Sequence, residues 1–172
     1  MEALLIIDMQ VGSFRLSERY DETGVVDRIN RVADSFRKSR KPVIFIQHDG
    51  TRENFLRPGT EDWKILPGLR QEDSDLFVEK EANDSFYNTE LSPLLEKLDI
   101  DHLYITGCAT DFCVNATVHS ALVRDFDVTV IEDCHTTADR PDLKADKNIR
   151  FHNWLWANLT PTKGKIRVTN SK

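Results

Sequence analysis

The sequence predicts an α/β protein with a Rossmann-like, doubly wound parallel sheet of about five or six strands and helices on both faces. Two observations predict this fold. Short apolar runs alternate along the chain with longer amphipathic segments, as in proteins built from successive β-α-β units. The first run, Ala3 to Ile7, is apolar at every position, which is typical of a strand buried on both faces in a three-layer α/β/α arrangement.

The remaining elements continue the same alternation. Val25 to Lys38 has apolar residues at helical spacing, and Pro42 separates this helix from a strand over 43–46. Residues 48–74 contain several glycines and prolines, so we expect a long excursion that shapes a functional pocket. The later strands are expected at 76–78, 102–106, 128–131 and 166–168, and the later helices at 92–98, 111–124 and 143–158.

Length and composition fit one globular domain that spans residues 1–172, with 40% hydrophobic and 30% charged residues. The net charge of −6 argues against a nucleic-acid-binding protein, which needs a basic face. No apolar stretch approaches the roughly 20 residues of a membrane span. The first residues also lack the basic start of a signal peptide. We therefore expect a cytoplasmic protein with no membrane or nucleic-acid partner.

The three cysteines, Cys108, Cys113 and Cys134, are an odd number, whereas disulfide-stapled secreted domains usually have paired cysteines. We therefore expect reduced thiols, one of them reactive. A Cys108–Cys113 disulfide is conceivable as an oxidation state, and the spacing of the cysteines is unlike that of a zinc site. Cys134 and His135 are expected to end the fifth strand near the rim of the pocket.

Three reactive side chains lie where predicted strands end. Asp8 follows the first strand, Lys80 the third, and Cys113 the fourth. In an open parallel sheet, ligands bind beyond the carboxyl ends of the strands, where the strand order reverses. Thr110 is expected to cap the next helix and to place Cys113 in its first turn. There the helix dipole and a nearby lysine would lower the pKa of the thiol, and a carboxylate in reach could instead act as a base.

Each of these residues also has a simpler interpretation. Asp8 alone could be a turn residue, Lys80 a solvated lysine, and Cys113 an inert core thiol. Their common position at strand ends favours a shared site over three separate structural roles.

Four segments in this order resemble the isochorismatase-like cysteine hydrolases, a family that includes nicotinamidases, N-carbamoylsarcosine amidases and streptothricin hydrolases. The resemblance covers nearly the whole chain. The segments are Leu4 to Gln10, Phe45 to His48, Val78 to Lys80 with the following Ser85-Phe86, and Gly107 to Val114.

The resemblance implies a role for each residue of the site. Cys113 would be the nucleophile, Asp8 the general base, and Lys80 the group that orients the pair and stabilises charge. The family also implies a cis peptide between Cys108 and Ala109. This bond would aim the Ala109 N–H, together with the N–H of Cys113, at a developing oxyanion.

The sequence departs from the family at the metal site. Nicotinamidases have an Asp-x-His motif after the second strand, whereas this chain has Gln47-His48-Asp49, and residues 51–101 contain no histidine. One histidine and one aspartate do not supply the three or four ligands of a stable site, so we expect no metal and no other cofactor. True isochorismatases lack the nucleophilic cysteine, which is present here as Cys113.

The predicted function is therefore a metal-independent cysteine hydrolase that cleaves the C–N bond of a small amide or carbamoyl compound through a thioester. Two alternatives stay open. One is hydrolysis of an isochorismate-like vinyl ether by Asp8 and Lys80 without covalent catalysis. The other is a non-catalytic redox or interaction module on the same fold.

Two further predictions concern the pocket and the assembly. Trp154 and Trp156, two positions apart on a predicted helix, would point to different faces, one to the core and one to a partner subunit. Together with the resemblance, this predicts a homo-oligomer, a dimer or larger. The candidates for the pocket lining are Phe14, Gln47, Trp63, Phe86 and Tyr87.

Overall fold

A computed structural model describes all 172 residues and contains one six-stranded sheet. The strands are β1 (Glu2–Ile7), β2 (Val43–His48), β3 (Leu76–Lys80), β4 (His102–Cys108), β5 (Asp127–Thr136) and β6 (Ile166–Thr169). All neighbouring strands are parallel, in the order β3-β2-β1-β4-β5-β6. The predicted doubly wound sheet is confirmed, and the reversal of strand order lies between β1 and β4.

Helices cover both faces of the sheet and bury a separate core on each. The α-helices are α1 (Val11–Leu16), α2 (Glu22–Lys38), α3 (Leu91–Lys97), α4 (Asn115–Leu122) and α5 (Ala145–Ala157). Leu4 and Ile6 of β1 belong to the core under α2, whereas Leu5 and Ile7 belong to the core that contains residues of α3, α4 and α5. Successive side chains of a strand point to opposite faces, so β1 has no position left for a polar residue after Glu2. No helix combines the length and apolar character that crossing a membrane requires.

Gly107 allows β4 to approach β1 closely at the reversal of strand order. Its φ angle is 121°, in the region that favours glycine, and a Cβ at this position would collide with the backbone of Ile7. The same residue marks a bulge, because Ile105 pairs with Val130 whereas Gly107 pairs with His135.

The bulge explains the largest difference from the predicted elements. The fifth strand was expected over 128–131, but β5 continues to Thr136. Glu132 and Asp133 interrupt the apolar run, and the sequence pattern therefore ends before the strand does. The short helix α1 was not predicted at all.

The segment between β4 and α4 is a π-helical turn, Thr110–Val114, and not the first turn of an α-helix. The expected N-cap is wrong as well, because Ala109 is the residue before this turn, and Thr110 lies inside it with its hydroxyl paired to His135 Nδ1. Cys113 therefore lies in the π-helical turn, ahead of α4.

Buried His135 holds this turn against β5, and does not lie at the pocket rim as expected. Its Nε2 is 2.9 Å from Asn153 Oδ1, and its Nδ1 is 2.8 Å from Thr110 Oγ1. An amide oxygen only accepts, so Nε2 carries the proton and the Thr110 hydroxyl donates to Nδ1. Burial lowers the pKa of His135 to about 4, and the ring is therefore neutral near neutral pH.

Asp111 fixes the same turn from another side. It accepts hydrogen bonds from Thr137 Oγ1 at 2.6 Å, from Arg140 Nε at 2.7 Å and from Asn148 Nδ2 at 3.0 Å. Burial opposes ionisation, but the hydrogen bonds from Arg140 and Thr137 prevail and lower the pKa of Asp111 to about 2. The position of the turn that carries Cys113 is thus set by side chains from β5 and the region after it.

The two tryptophans of α5 point to opposite faces, as predicted. Trp156 is fully buried and donates its indole N–H to Asn115 Oδ1 at 2.9 Å. Trp154 is 62% exposed beside exposed Phe151, with ring centroids 6.1 Å apart. The homo-oligomer that would cover them stays a prediction.

His135→Gln is expected to reduce the acid sensitivity of the fold. The folded pKa of about 4 lies below the ordinary value of 6.5, so the unfolded chain binds more protons between these two values. The stability that neutral His135 provides is complete above about pH 6.5 and is lost as the pH falls towards 4, by about 3 kcal/mol.

Urea unfolding of the wild type, His135→Gln and the exposed-histidine control His119→Gln, between about pH 7 and pH 4, measures this effect. The free energy of unfolding should fall less steeply with acid in His135→Gln alone. The same pH dependence in all three proteins would contradict a buried neutral imidazole at this position.

Candidate active site

The structure brings Asp8, Lys80 and Cys113 together at the carboxyl edge of the sheet. Asp8 follows β1, and Cys113 lies in the π-helical turn after the adjacent β4. Lys80 ends β3, two strands away from β1, and its long side chain bridges the width of β2. Lys80 Nζ lies 2.7 Å from Asp8 Oδ2 and 3.4 Å from Cys113 Sγ.

The Lys80 ammonium is buried, ionised and fully hydrogen-bonded. Its side chain is 0% exposed, and its third donor binds Ala82 O at 2.9 Å. Burial opposes the charge, but the negative charge of Asp8 and the hydrogen bonds to Asp8 and the Cys113 sulfur raise the pKa of Lys80 above its usual value. Lys80 and Asp8 therefore form a buried ion pair next to the thiol.

Asp8 keeps one carboxylate oxygen free of any hydrogen bond. The residue is buried with a φ angle of 49°, a left-handed conformation that aspartate tolerates better than most residues. Lys80 occupies Oδ2, whereas buried Oδ1 has no partner. An acceptor of this kind beside a thiol can take its proton.

The expected low pKa of Cys113 is wrong. Burial, followed by the negative charge of Asp8, raises the pKa of the thiol well above its usual value, and the attraction of Lys80 does not cancel them. Cys113 lies in a π-helical turn, so the dipole argument for an α-helix start does not apply. The resting group is a neutral thiol, and it needs a base before it can act as a nucleophile.

The peptide bond between Cys108 and Ala109 is cis, as the resemblance implies. The Ala109 carbonyl accepts the N–H groups of Phe112 at 3.0 Å and Val114 at 3.2 Å, whereas the Ala109 N–H has no acceptor in the protein. Ala109 lines the same cavity as Cys113. A free backbone N–H beside a nucleophile can stabilise an oxyanion.

The cavity above Cys113 has a volume of about 280 Å³, which suits a small molecule. Its wall also includes residues that sequence reasoning missed, since they lie in loops, in the short helix α1 or in the π-helical turn, where no periodicity marks them. They include Leu16, Arg19, Phe55, Asn83, Phe112 and Arg140. Asn83, three residues after Lys80, comes within 3.5 Å of Cys113 Sγ through its Oδ1.

None of the five candidates for the pocket lining lies in the wall of this cavity. Phe14 in α1 and Phe86 in the segment after β3 are each buried in one of the two hydrophobic cores. Gln47 donates its side-chain N–H to Trp63 O at 3.1 Å, and this bond ties the excursion after β2 to the strand. Tyr87 is exposed elsewhere on the surface.

The side chains of His48 and Asp49, at the end of β2, make separate contacts. His48 Nδ1 is buried without a partner, and its Nε2 is 3.9 Å from Glu53 Oε2. Asp49 instead accepts hydrogen bonds from the backbone and hydroxyl of Thr51. No group of three or more His, Cys, Asp or Glu side chains is placed to hold a metal ion.

Comparison with known proteins agrees with the fold. The isochorismatase domain matches residues 2–161. The uncharacterized isochorismatase family protein YddQ of Bacillus subtilis is 29% identical to this chain. The alignment covers 98% of this chain and 97% of YddQ. Streptothricin hydrolase of Streptomyces noursei is 28% identical, over 82% of this chain and 51% of the length of the streptothricin hydrolase.

Two solved structures extend the comparison to three dimensions. An isochorismatase family protein has a TM-score of 0.88 at 29% identity, over 98% of this chain and 96% of its own. N-carbamoylsarcosine amidase from Thermoplasma acidophilum has a TM-score of 0.75 at 26% identity. The alignment covers 99% of this chain and 96% of the amidase chain. Because the family match covers nearly the whole chain, we conclude that this protein is a hydrolase and belongs to the isochorismatase family.

Proposed function

We propose that this protein is a metal-independent cysteine hydrolase that cleaves the C–N bond of a small amide or carbamoyl compound through a thioester. The contact of Lys80 Nζ with both Asp8 and Cys113 carries the proposal, because it assembles nucleophile, base and fixed charge in one place. The amide chemistry of the streptothricin hydrolase and N-carbamoylsarcosine amidase relatives supports the substrate class.

In the first step, the free Oδ1 of Asp8 takes the proton of the Cys113 thiol as Sγ attacks the carbonyl carbon of the substrate. The raised pKa of the thiol makes this transfer part of the attack, since little thiolate exists beforehand. Lys80 stays charged, holds the other carboxylate oxygen and stabilises negative charge on the sulfur. The Ala109 N–H binds the carbonyl oxygen as it becomes an oxyanion.

In the next steps, Asp8 returns this proton to the substrate nitrogen, the C–N bond breaks, and the amine or ammonia leaves. The acyl group remains on Cys113 as a thioester. Asp8 then takes a proton from water, whose oxygen attacks the thioester carbon. The C–S bond breaks, the acid or carbamate product leaves, and the sulfur regains its proton.

Cys113→Ala should abolish hydrolysis, because the thioester route needs the sulfur. Ammonia release from a panel of primary amides and carbamoyl compounds is the measurement, with Cys134→Ala as the matched control that removes a buried thiol outside the cavity. We expect a loss of at least roughly 10³-fold for Cys113→Ala and little change for Cys134→Ala or after EDTA treatment. Full activity of Cys113→Ala would instead indicate non-covalent hydrolysis, and inhibition by EDTA would indicate a metal.

Asp8→Asn should slow formation of the thioester by roughly 10²- to 10⁴-fold, because asparagine keeps the shape of the side chain but cannot take a proton. Pre-steady-state release of the leaving group isolates this step from hydrolysis of the thioester. Asp49→Asn is the matched control, since Asp49 follows β2 outside the cavity and contacts Thr51. Equal acylation rates in both variants would leave the mechanism without its base.

A further inference from the structure

Arg19 is a nearly buried cation without an anionic partner. The residue is 9% exposed, and none of the ion pairs in the structure includes it. Its guanidinium donates from Nε and Nη2 to Ser13 O, at 3.1 Å and 2.7 Å. A carbonyl oxygen satisfies donors but does not neutralise a charge, and burying an unpaired charge is costly.

The backbone holds Arg19 firmly at the end of β5. The neighbouring Tyr20 donates its N–H to Thr137 O at 3.0 Å and accepts from Thr136 Oγ1 at 2.6 Å. The guanidinium also lies over the ring of Phe14, 5.9 Å from its centroid. Arg19 is therefore a preorganised part of the wall that it shares with Cys113 and Ala109.

The other charges around the cavity cancel in pairs. Lys80 neutralises Asp8, and Asp111 neutralises Arg140 through a bidentate ion pair. Arg19 is the one charge left over, and the cavity has a net positive charge.

His48, which also lines the cavity, does not change this balance. Burial, together with the positive charge of Lys80, lowers the pKa of His48, so its imidazole is neutral near neutral pH. The cavity thus offers one fixed positive charge on a wall that also carries the apolar side chains of Phe55, Leu56 and Phe112.

We propose that Arg19 binds a carboxylate of the substrate, so that the amide or carbamoyl compound hydrolysed at Cys113 is a small organic acid. A guanidinium matches a carboxylate in shape as well as in charge, and three of the five N–H donors of Arg19 are not used by Ser13. One unpaired cation in a cavity of about 280 Å³ suits a single carboxylate on a compact molecule. This assignment of the substrate class rests on the proposed hydrolase function, whereas the anion site itself does not.

Alkylation of Cys113 by iodoacetate and by iodoacetamide tests the anion site without turnover. The two reagents differ only in carboxylate against carboxamide, and each transfers its carbon to Sγ with loss of iodide. The rate ratio of iodoacetate to iodoacetamide at Cys113, from peptide mass spectrometry, should exceed the ratio for glutathione by about 10- to 100-fold. A ratio equal to that of glutathione would overturn the proposal.

Three variants assign the preference to Arg19. Arg19→Gln should lose it, and Arg19→Lys should keep most of it because the charge remains. Arg15→Gln removes the same charge from α1 at a residue whose side chain is 62% exposed and paired with Asp62, and should behave as the wild type. Equal ratios in Arg19→Gln and Arg15→Gln, with both folded by circular dichroism, would overturn the proposal.

Turnover of succinamate and its neutral counterpart succinamide extends the test to the substrate. Wild type should favour the acid in kcat/KM by about 10- to 100-fold, and Arg19→Gln should remove the preference. Hydrolysis of both compounds without a preference that depends on Arg19 would reject this inference and leave the hydrolase intact. An Arg19-dependent alkylation ratio in a protein that hydrolyses no amide would reject the proposed function and leave the anion site.

Discussion

The buried charge of Lys80 is the constraint on which the rest of the site depends. An ammonium without access to water is tolerated only when an anion and further acceptors surround it. Asp8, Ala82 O and Cys113 Sγ fill these positions. Lys80 in turn holds Oδ2 of the Asp8 carboxylate in place, so that Oδ1 remains available to the thiol. Removal of either charge would leave the other buried and unpaired.

The sheet topology brings this cluster together. β1 and β4 are neighbours where the strand order reverses, and Gly107 allows their backbones to approach where the turn with Cys113 begins. Two residues then fix that turn. His135 in β5 contacts Thr110, and Asp111 in the turn accepts hydrogen bonds from Thr137 and Arg140. Buried polar groups are costly when unpaired, and here they are paired. Their hydrogen bonds fix the turn that carries Cys113.

The sequence predicts the sheet and the three clustered residues because both depend on local signals. Continuous apolar runs indicate buried parallel strands, and Asp8, Lys80 and Cys113 follow such runs directly. The π-helical turn, the bulge in β5 and the pocket wall depend on contacts between distant segments, and no local pattern indicates them. Arg19 is a clear example, since its importance arises from the absence of a carboxylate around it in three dimensions.

The low pKa that the sequence predicts for Cys113 is wrong for the same reason. The sequence indicates a helix start and a lysine, whereas the burial of the thiol and the adjacent carboxylate arise only in three dimensions. The corrected sign changes the role of Asp8. A pre-formed thiolate would make a base unnecessary for the attack, whereas a neutral thiol requires one.

The thioester mechanism requires Cys113 to carry the acyl group during turnover. Intact-mass and peptide mass spectrometry can detect this intermediate in the wild-type protein, quenched in acid during hydrolysis of its best amide substrate. We expect an added mass equal to the acyl group of that substrate, located on Cys113. Steady turnover with Cys113 unmodified at every quench time, or with the acyl group on another residue, would contradict it.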